Sequence, residues 1–334
     1  MFSNHGAPPS FFKRGILLLS FVGTACVTSK PQLPRPETIA FGSCNKQVAA
    51  QPLWNTIDSH KPDFFIWLGD VVYTKDDSIS TLKSALQSQN QLQNYKQFRN
   101  STKVIGVWDD HDFHNEHPNR TAPEKTERQE LFLDFLKEPK QSNRRSQDGI
   151  YQDYHFSTAA GPVHLFLLDT RYHKDPWGRE AKTILGEMQW TWLEHKLKIY
   201  KDGIHIFASS IQILPNAHRF DHWGRIPKER QRFLDALANH DIQTAIVISG
   251  DRHIAELSYL PSEDSGLPRG IWELTSSGLT HSYDSFKGER NPFRKQDVFF
   301  NKNFGLIHFS KEALELEVRD QDNKVRIKQT IKIQ

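Results

Sequence analysis

The chain has 334 residues, which is enough for one large domain or two small ones with a substantial buried core. Its 43 Lys and Arg residues and 40 Asp and Glu residues are spread along the sequence and give a formal net charge of +3. This balance excludes a basic nucleic-acid-binding stripe and an acidic tail, so charge alone indicates no partner.

The first 26 residues have the organisation of an export signal. A basic pair, KR, precedes the apolar run GILLLSFVG, which is followed by TAC. This run is shorter than the roughly 20 residues that a membrane-spanning helix needs, so we expect a cleaved signal. Thr24 and Ala25 before Cys26 resemble a bacterial lipobox, although Gly23 stands where leucine is usual. The sequence therefore predicts export to the bacterial periplasm or cell envelope with a lipid anchor on Cys26, and cleavage to a soluble periplasmic form is the alternative.

Residues 27–37, VTSKPQLPRPE, are rich in proline and polar side chains and suit an extended tether. From residue 38 to residue 334 there is no low-complexity linker, fixed-period repeat or composition shift that would mark a second domain. We therefore predict a single domain over residues 38–334.

Six short apolar runs rich in β-branched and aromatic residues predict buried strands. In chain order they are TIAFGS, DFFIWLGD, KVIGVWDD, VHLFLLD, GIHIFASS and TAIVISGD. In the stretch LGEMQWTWLEHKLKIY, Trp190, Leu193 and Leu197 share one stripe at helical spacing with Tyr200. Four later runs, IWELTSS, FGLIHFS, ALELEVRD and KVRIKQTIKI, predict further strands. Together these elements indicate an α/β fold of layered sheets with helices outside.

Polar or acidic groups stand at the C-terminal ends of the predicted buried strands, in FGSC, WLGD, VWDD, LLDT and ISGD. In open α/β sheets this edge is where ligands bind. Four acidic strand ends at one edge would repel one another unless cations lie among them. The sequence therefore predicts a metal site there.

The donor types in these segments restrict the metals. Carboxylates suit Ca²⁺, Mn²⁺, Mg²⁺ or ferric iron. A thiolate at Cys44 with a phenolate at Tyr73 favours a strongly polarising ion such as Fe³⁺, because these groups must lose protons with free pKa values of about 8.5 and 10. Taken singly, Cys44 is more typical of a small buried apolar residue, Tyr73 of a rim aromatic and Asp70 of a turn residue than of metal ligands. Their shared position after buried strands favours the metal interpretation.

The segments FGSCN, WLGDVVY, WDDHDFHNE, LLDTRYH and VISGDRH closely resemble, in order and spacing, the PhoD-like phosphatases, or alkaline phosphatase D group, of the calcineurin-like metallophosphoesterases. The resemblance extends from about residue 38 to residue 281. It implies a four-layer α/β/β/α sandwich of two mixed sheets flanked by helices, and a catalytic domain that hydrolyses phosphate esters with a metal-activated water. Phosphomonoesters are the first expectation. The alternatives are a phosphodiesterase or phospholipase acting on envelope or lipid phosphodiesters, and a non-catalytic envelope lipoprotein.

The same resemblance implies roles for individual residues. An iron ion is expected on Cys44, Asp70, Tyr73 and His253, and one or two calcium ions are expected on Asp70, Asp110 and Asp251, although other divalent ions are alternatives. His111 follows Asp110 as the histidine follows the asparagine in the superfamily's third motif, which implies that His111 is the catalytic proton donor. Asp109 is either a further ligand or the residue that orients His111. Apart from the resemblance, the planar guanidinium groups of Arg171 and Arg252 suit phosphate oxygens, with a solvated surface position as the alternative for each. Substrate contacts are also expected from Asn115 and His281. The superfamily's fourth-motif histidine has no counterpart in SSIQIL, where Gln212 or a water would take its place.

Overall fold

The computed structural model describes residues 37–333. The predicted export signal, the lipid-anchor site and the tether up to residue 36 lie outside the described residues. None of the helices between residues 37 and 333 combines the length and hydrophobicity that a membrane span requires.

Two six-stranded sheets form the centre of the fold. The first contains, in spatial order, β12 (Val325–Lys332), β11 (Ala313–Asp320), β10 (Asn303–Phe309), β1 (Thr38–Gly42), β2 (Phe64–Leu68) and β3 (Lys103–Val107). The second contains β4 (Gln152–Thr158), β5 (Gly161–Leu168), β6 (Ile204–Ser209), β7 (Thr244–Ser249), β9 (Ile271–Ser276) and β8 (Ala255–Leu260). Both sheets are mixed. In the first sheet, β1 to β3 are parallel and β10 to β12 are antiparallel. In the second sheet, β5, β6, β7 and β9 are parallel, and the edge strands β4 and β8 are antiparallel.

Helices connect the strands. They are α1 (Leu53–Ser59), α2 (Ile79–Gln91), α3 (Gln93–Ser101), α4 (Asp110–Phe113), α5 (Lys125–Leu136), α6 (Gly186–Ile199), α7 (Pro227–Asn239) and α8 (Ser262–Ser265). Short 3₁₀ turns cover Asn143–Arg145 and Trp223–Arg225.

Alternation along the central strands divides their side chains between two hydrophobic clusters. Leu165, Ile206 and Ile248 belong to the cluster that also contains β2 of the first sheet. Their neighbours Phe166, Phe207 and Val247 belong to the cluster formed with α6 and α7. Since successive side chains of a strand point to opposite faces, the second sheet packs on the first sheet with one face and on helices with the other.

The outer face of the first sheet is covered in the same way. The Trp54 ring of α1 lies 5.1 Å from the Phe65 ring and 5.4 Å from the Trp67 ring of β2. Burying an aromatic or aliphatic side chain of this size stabilises the fold by about 1.5–3 kcal/mol. The structure therefore confirms the four-layer arrangement and the predicted strands and helix. The polar edge strand β4 and the edge strand β8 escaped sequence analysis, because neither is a continuous apolar run.

Candidate metal centre

Two glycines bring the carboxyl ends of the strands together. A Cβ on Gly69, which follows β2 with φ +89°, would lie 2.3 Å from the Asp109 Cβ beyond β3. A Cβ on Gly250, which follows β7, would lie 2.5 Å from the Leu68 carbonyl oxygen and 2.6 Å from the Ser43 Oγ. Because only a hydrogen fits at both positions, the ends of β2 and β3 approach closely at Gly69, and the strand ends of the two sheets approach closely at Gly250.

Left-handed backbone conformations are concentrated at this meeting point. They occur at the non-glycine residues Cys44 (φ 59°), Asp70 (φ 51°), Asp251 (φ 64°) and His253 (φ 55°). Each costs on the order of 1–3 kcal/mol and persists only where the surrounding structure imposes it, typically at functional sites. The four residues are also predicted ligands.

One group of donor atoms surrounds Asp70 and includes Tyr73. The Tyr73 hydroxyl donates to Asp70 Oδ2 at 3.0 Å and lies 3.2 Å from His253 Nε2. Cys44 Sγ lies 3.4 Å from the same Asp70 oxygen. The donor atoms of Cys44, Asp70 and His253 all lie within 4.8 Å of one another. Tyr73, three residues after Asp70, therefore places its hydroxyl in the donor group at the end of β2.

A second group of donor atoms shares Asp70. Carboxylate oxygens of Asp70, Asp109, Asp110 and Asp251 lie within 4.8 Å of one another, and His111 joins Asp70 and Asp110 in an overlapping group. The structure thus brings together the six predicted metal ligands and both predicted catalytic residues. Asp70 is common to all of the groups, which is the position that a bridging carboxylate requires.

The cluster contains buried polar atoms that have no partner among residues 37–333. They are Asp109 Oδ2, Asp110 Oδ1 and His111 Nδ1. A buried acceptor without a hydrogen bond costs about 1–3 kcal/mol, so such atoms require an explanation. Bound cations would satisfy both carboxylate oxygens, and the donor set therefore fits a metal centre.

Burial makes the cluster unfavourable as a set of bare anions. It raises the pKa of Asp70 and of Asp251 well above the ordinary carboxyl value, and neighbouring aspartates add to the effect. Burial and the Asp70 charge likewise raise the pKa values of Cys44 and Tyr73. Burial, His281 and His111 lower the pKa of His253 to about 3, which keeps the imidazole in its neutral, metal-binding form. Multivalent cations are the groups that would stabilise all of these donors at once.

Arg171 organises one side of the centre. Its guanidinium is fully buried, and its Nε donates to Asp109 Oδ1 at 2.6 Å while its Nη1 donates to Asp221 Oδ2 at 2.8 Å. Ser210 donates to the same Asp109 oxygen at 2.5 Å. The predicted substrate contact of Arg171 would have to use Nη2, which lies 4.0 Å from Asp110 Oδ1 and has no hydrogen bond within the described chain. Burial acts to raise the pKa of Asp110, but Arg171 and His111 outweigh it and lower that pKa.

Ser277 and Asp112 support the ligands and were missed by sequence analysis. Ser277 Oγ accepts the His253 backbone N–H at 2.8 Å and lies 3.0 Å from Cys44 Sγ. Asp112 Oδ1 accepts the N–H groups of Val71 and Val72, at 2.9 and 3.1 Å, and so holds the loop after Asp70. Both residues lie in sequence segments that contain other site residues, so this proximity in the sequence could have identified them as part of the site.

Asp169 departs from the expectation that four acidic strand ends converge. Its Oδ1 accepts the Trp108 indole N–H at 2.9 Å and the Arg171 backbone N–H at 2.9 Å. Its Oδ2 accepts the Ile150 backbone N–H at 2.9 Å. With these acceptors occupied, Asp169 fixes the loop that carries Arg171 and is not part of the donor groups.

The remaining predicted contacts lie around the centre. The His281 ring lies 4.2 Å from the His253 ring. Arg252 is buried, bonds to Glu289, and places its guanidinium 4.2 Å from the Phe220 ring centroid.

The amide nitrogens of two other predicted residues are bonded outside the donor groups. The Asn115 amide donates to Asp77 Oδ1 at 2.8 Å. The Gln212 amide donates to Glu256 at 2.9 Å and to Thr275 at 2.8 Å. These bonds tie the Gln212 amide nitrogen to neighbours that are not among the donor groups, while its Oε1 has no hydrogen-bond partner within residues 37–333.

Two open cavities flank the centre, and Tyr283 lines both. One has a volume of about 550 Å³ and is lined by residues 217–220, Tyr283 and residues 285–290. The other, of about 870 Å³, is lined by Lys46, His281 and residues of both charge signs. The Tyr283 ring lies 5.6 Å from the His253 ring. Substituents on a phosphate at the centre would therefore have space on either side.

Comparisons with known proteins agree with this geometry. The family described as PhoD-like phosphatase matches residues 39–327. Alkaline phosphatase D of Bacillus subtilis (strain 168) is 22% identical over 293 residues, covering 72% of this chain and 50% of the relative, so the chain spans about half the length of that relative.

Two solved structures share the fold. "Structure of PhoD" matches with a TM-score of 0.70 at 16% identity, covering 89% of this chain and 68% of that one. GAP50, described as the anchor in the inner membrane complex of Plasmodium, matches with a TM-score of 0.61 at 12% identity, covering 90% of both chains.

Proposed function

Because the chain belongs to the PhoD-like phosphatase family, we propose that it hydrolyses phosphate esters in a metal-dependent reaction. The observation that carries the proposal is the convergence of acidic, thiol, phenol and imidazole donors from both sheets around Asp70. Clustered buried carboxylates are costly in a protein that does not use them. Bound metal ions would account for this arrangement, because they would neutralise the carboxylates.

We assign two sets of ligands. The mixed set of Cys44, Asp70, Tyr73 and His253 is assigned to Fe³⁺, and the carboxylate set of Asp70, Asp110 and Asp251 is assigned to one or two Ca²⁺ ions. When bound, such ions hold phosphoryl oxygens, lower the pKa of a bound water and stabilise the charge that develops during in-line displacement.

His111 is the group we assign to protonate the leaving oxygen. It follows Asp110 at the start of α4, its ring lies 4.1 Å from the Tyr73 ring, and its Nδ1 has no partner in the described structure. Imidazole exchanges protons near neutral pH, and acid catalysis of this kind contributes about 10²- to 10⁴-fold in rate. Arg171 and Ser210 hold Asp109 in place, so Asp109 acts as a positioning group or a further ligand.

Phosphomonoesters are our first choice of substrate, and phosphodiesters of lipids or of the envelope are the second. The second choice is supported by the two cavities beside the centre, since a diester has two substituents to accommodate. Hydrolysis of 4-nitrophenyl phosphate and bis(4-nitrophenyl) phosphate in the presence of calcium separates them. A diester rate far above the monoester rate would refute the first choice.

Metal analysis of protein purified without chelator tests the centre itself. We expect iron and calcium, together with a visible absorption from tyrosinate bound to ferric iron that Tyr73→Phe abolishes. Absence of both metals would favour the non-catalytic envelope lipoprotein. An absorption band that persists in Tyr73→Phe would refute the assignment of Tyr73.

We also propose that the protein is exported to the bacterial envelope and anchored by lipid on Cys26. The support is the sequence of residues 1–26. Mass spectrometry of the mature N terminus is expected to find a lipid-modified Cys26, and Cys26→Ala should release the protein from the membrane fraction. An unmodified N terminus beyond Cys26 would contradict the anchor.

A further inference from the structure

The cavity of about 550 Å³ beside the metal centre has a cationic rim. Arg219, Lys287 and Arg290 line it and are exposed. None of the three forms an ion pair with a carboxylate within residues 37–333, in contrast to most of the arginines near the centre. The cavity therefore presents positive charge that the described chain does not neutralise.

The acidic residue that lines this cavity does not cancel that charge. It is Glu289, which is paired with the buried guanidinium of Arg252. Arg252 in turn lies over the Phe220 ring, which forms part of the cavity wall. The carboxylate of Glu289 is thus held by an arginine that follows Asp251, and the three rim cations remain available to a ligand.

The cavity adjoins the metal centre at Tyr283. The Tyr283 ring lines the cavity and lies 5.6 Å from the ring of His253. Its backbone N–H donates to the His253 carbonyl oxygen at 3.4 Å. The cavity is therefore next to the position that a phosphate at the centre would occupy. The half-buried Phe220 and Phe286 give its wall an apolar part.

The neighbouring cavity of about 870 Å³ lacks this charge bias. Its lining includes Asp284, Asp320 and Asp322 as well as cations, and Arg326 is paired with Asp320. Selection by charge is therefore expected on the Arg219 side of the centre and not on the other.

We propose that the cavity bounded by Arg219, Lys287 and Arg290 is a substrate subsite that selects phosphate esters whose organic part carries a second anionic group. This inference rests on the proposed hydrolytic function and specifies its substrate class. The second group is a carboxylate or phosphate, which exposed guanidinium and ammonium groups bind through charge-assisted hydrogen bonds.

A matched pair of substrates tests the proposal. 4-(Carboxymethyl)phenyl phosphate and 4-(carbamoylmethyl)phenyl phosphate differ in the charge of one substituent, and the methylene group keeps the two phenol leaving groups closely matched. Both are used as monoesters or as methyl diesters, whichever class the protein hydrolyses faster. We expect kcat/KM for the carboxylate ester to exceed that for the carbamoyl ester about tenfold at low salt, and the preference to weaken as salt screens the rim.

The variant Arg219→Gln/Lys287→Gln/Arg290→Gln should reduce the ratio of the two kcat/KM values to about one. A control, Lys198→Gln/Lys201→Gln/Lys311→Gln, removes the same charge from exposed positions that do not line the cavity and should retain the ratio. Circular dichroism verifies that both variants are folded.

Equal kcat/KM values for the two esters in the unmodified protein would overturn the subsite, as would a preference that survives in the rim variant. If neither ester is hydrolysed, the proposed hydrolytic function fails instead. In that case, calorimetry of the same two esters with the metal-loaded protein tests the subsite, and the ratio of their dissociation constants takes the place of the ratio of kcat/KM values.

Discussion

Replacing Arg171 by methionine should destabilise the protein strongly. Methionine approximates the length of the side chain but leaves Asp109 and Asp221 without the guanidinium that now lies 2.6 and 2.8 Å from them. Arg171 and Asp109 are both fully buried, so water cannot replace the lost bonds. Removing one partner of a buried ion pair costs about 3–5 kcal/mol, because the remaining charge is left unpaired in a poorly polarisable environment.

The expected change in melting temperature follows from the size of the domain. Unfolding entropy of about 2.1 cal/mol/K per residue gives about 0.6 kcal/mol/K for roughly 300 residues. A loss of about 3–5 kcal/mol therefore lowers the melting temperature by about 5–8 °C. Differential scanning calorimetry of the protein as purified measures this shift.

Arg232→Met is the matched control. Arg232 also contacts two carboxylates, of Glu187 at 2.6 Å and Glu194 at 3.1 Å, but it is 35% exposed. Exposed pairs contribute about 0–1 kcal/mol, so the shift should stay below about 2 °C. Equal shifts in the two variants would show that burial does not govern the Arg171 network, and the reasoning would be refuted.

Three further predictions concern other parts of the molecule. Burial lowers the pKa of His205 to about 4, so between about pH 6.5 and 4 the unfolded chain binds a proton that the folded chain does not. When the pH is lowered from 7.5 to 5, the free energy of unfolding measured with urea should therefore fall by about 2 kcal/mol more in the unmodified protein than in His205→Phe. Equal decreases in the two proteins would contradict this. Gly69→Ala should lower the free energy of unfolding by several kcal/mol, because the new Cβ would meet Asp109. Gly161 has φ +107° and no atom within 4 Å of a built Cβ, so Gly161→Ala should lower it only by the backbone strain of about 1–2 kcal/mol. Similar losses in the two variants would exclude the close approach as the cause. His111→Gln should lower kcat about 10²- to 10⁴-fold for phenyl phosphate. The decrease should be smaller for 4-nitrophenyl phosphate, because its leaving group needs less protonation. A decrease that is independent of the leaving group would argue against His111 as the proton donor.

Local patterns in the sequence were sufficient for the fold class and for much of the centre. Apolar runs ending in polar residues placed Cys44, Asp70 and Asp251 at strand ends, which is where open α/β sheets bind ligands. Tyr73 required more, because a tyrosine in a loop has no distinctive pattern. A phenolate beside the Cys44 thiolate suits ferric iron, which made Tyr73 a candidate, and the resemblance of WLGDVVY to a known motif assigned it to the iron ligands. The structure places its hydroxyl 3.0 Å from Asp70.

The partners of charged residues were not accessible in the same way. Arg171 and Asp109 are 62 positions apart, and Arg171 and Asp221 are 50 apart. Arg171 was therefore predicted to contact the substrate, although two carboxylates already bind it in the folded protein. Which buried charges meet depends on how sheets and loops pack, and periodicity carries no information about that.

The sequence by itself determined which residue types stand at the strand ends and hence the chemistry that they offer, because strand period and turn chemistry are local properties. Only the tertiary structure decided how each of these groups is used. Asp109 and Asp169 both follow buried strands, yet Asp109 joins the donor cluster while Asp169 is satisfied by Trp108 and backbone N–H groups. The physical reason is that a carboxylate's role depends on the donors and charges around it, and distant segments of the chain supply them.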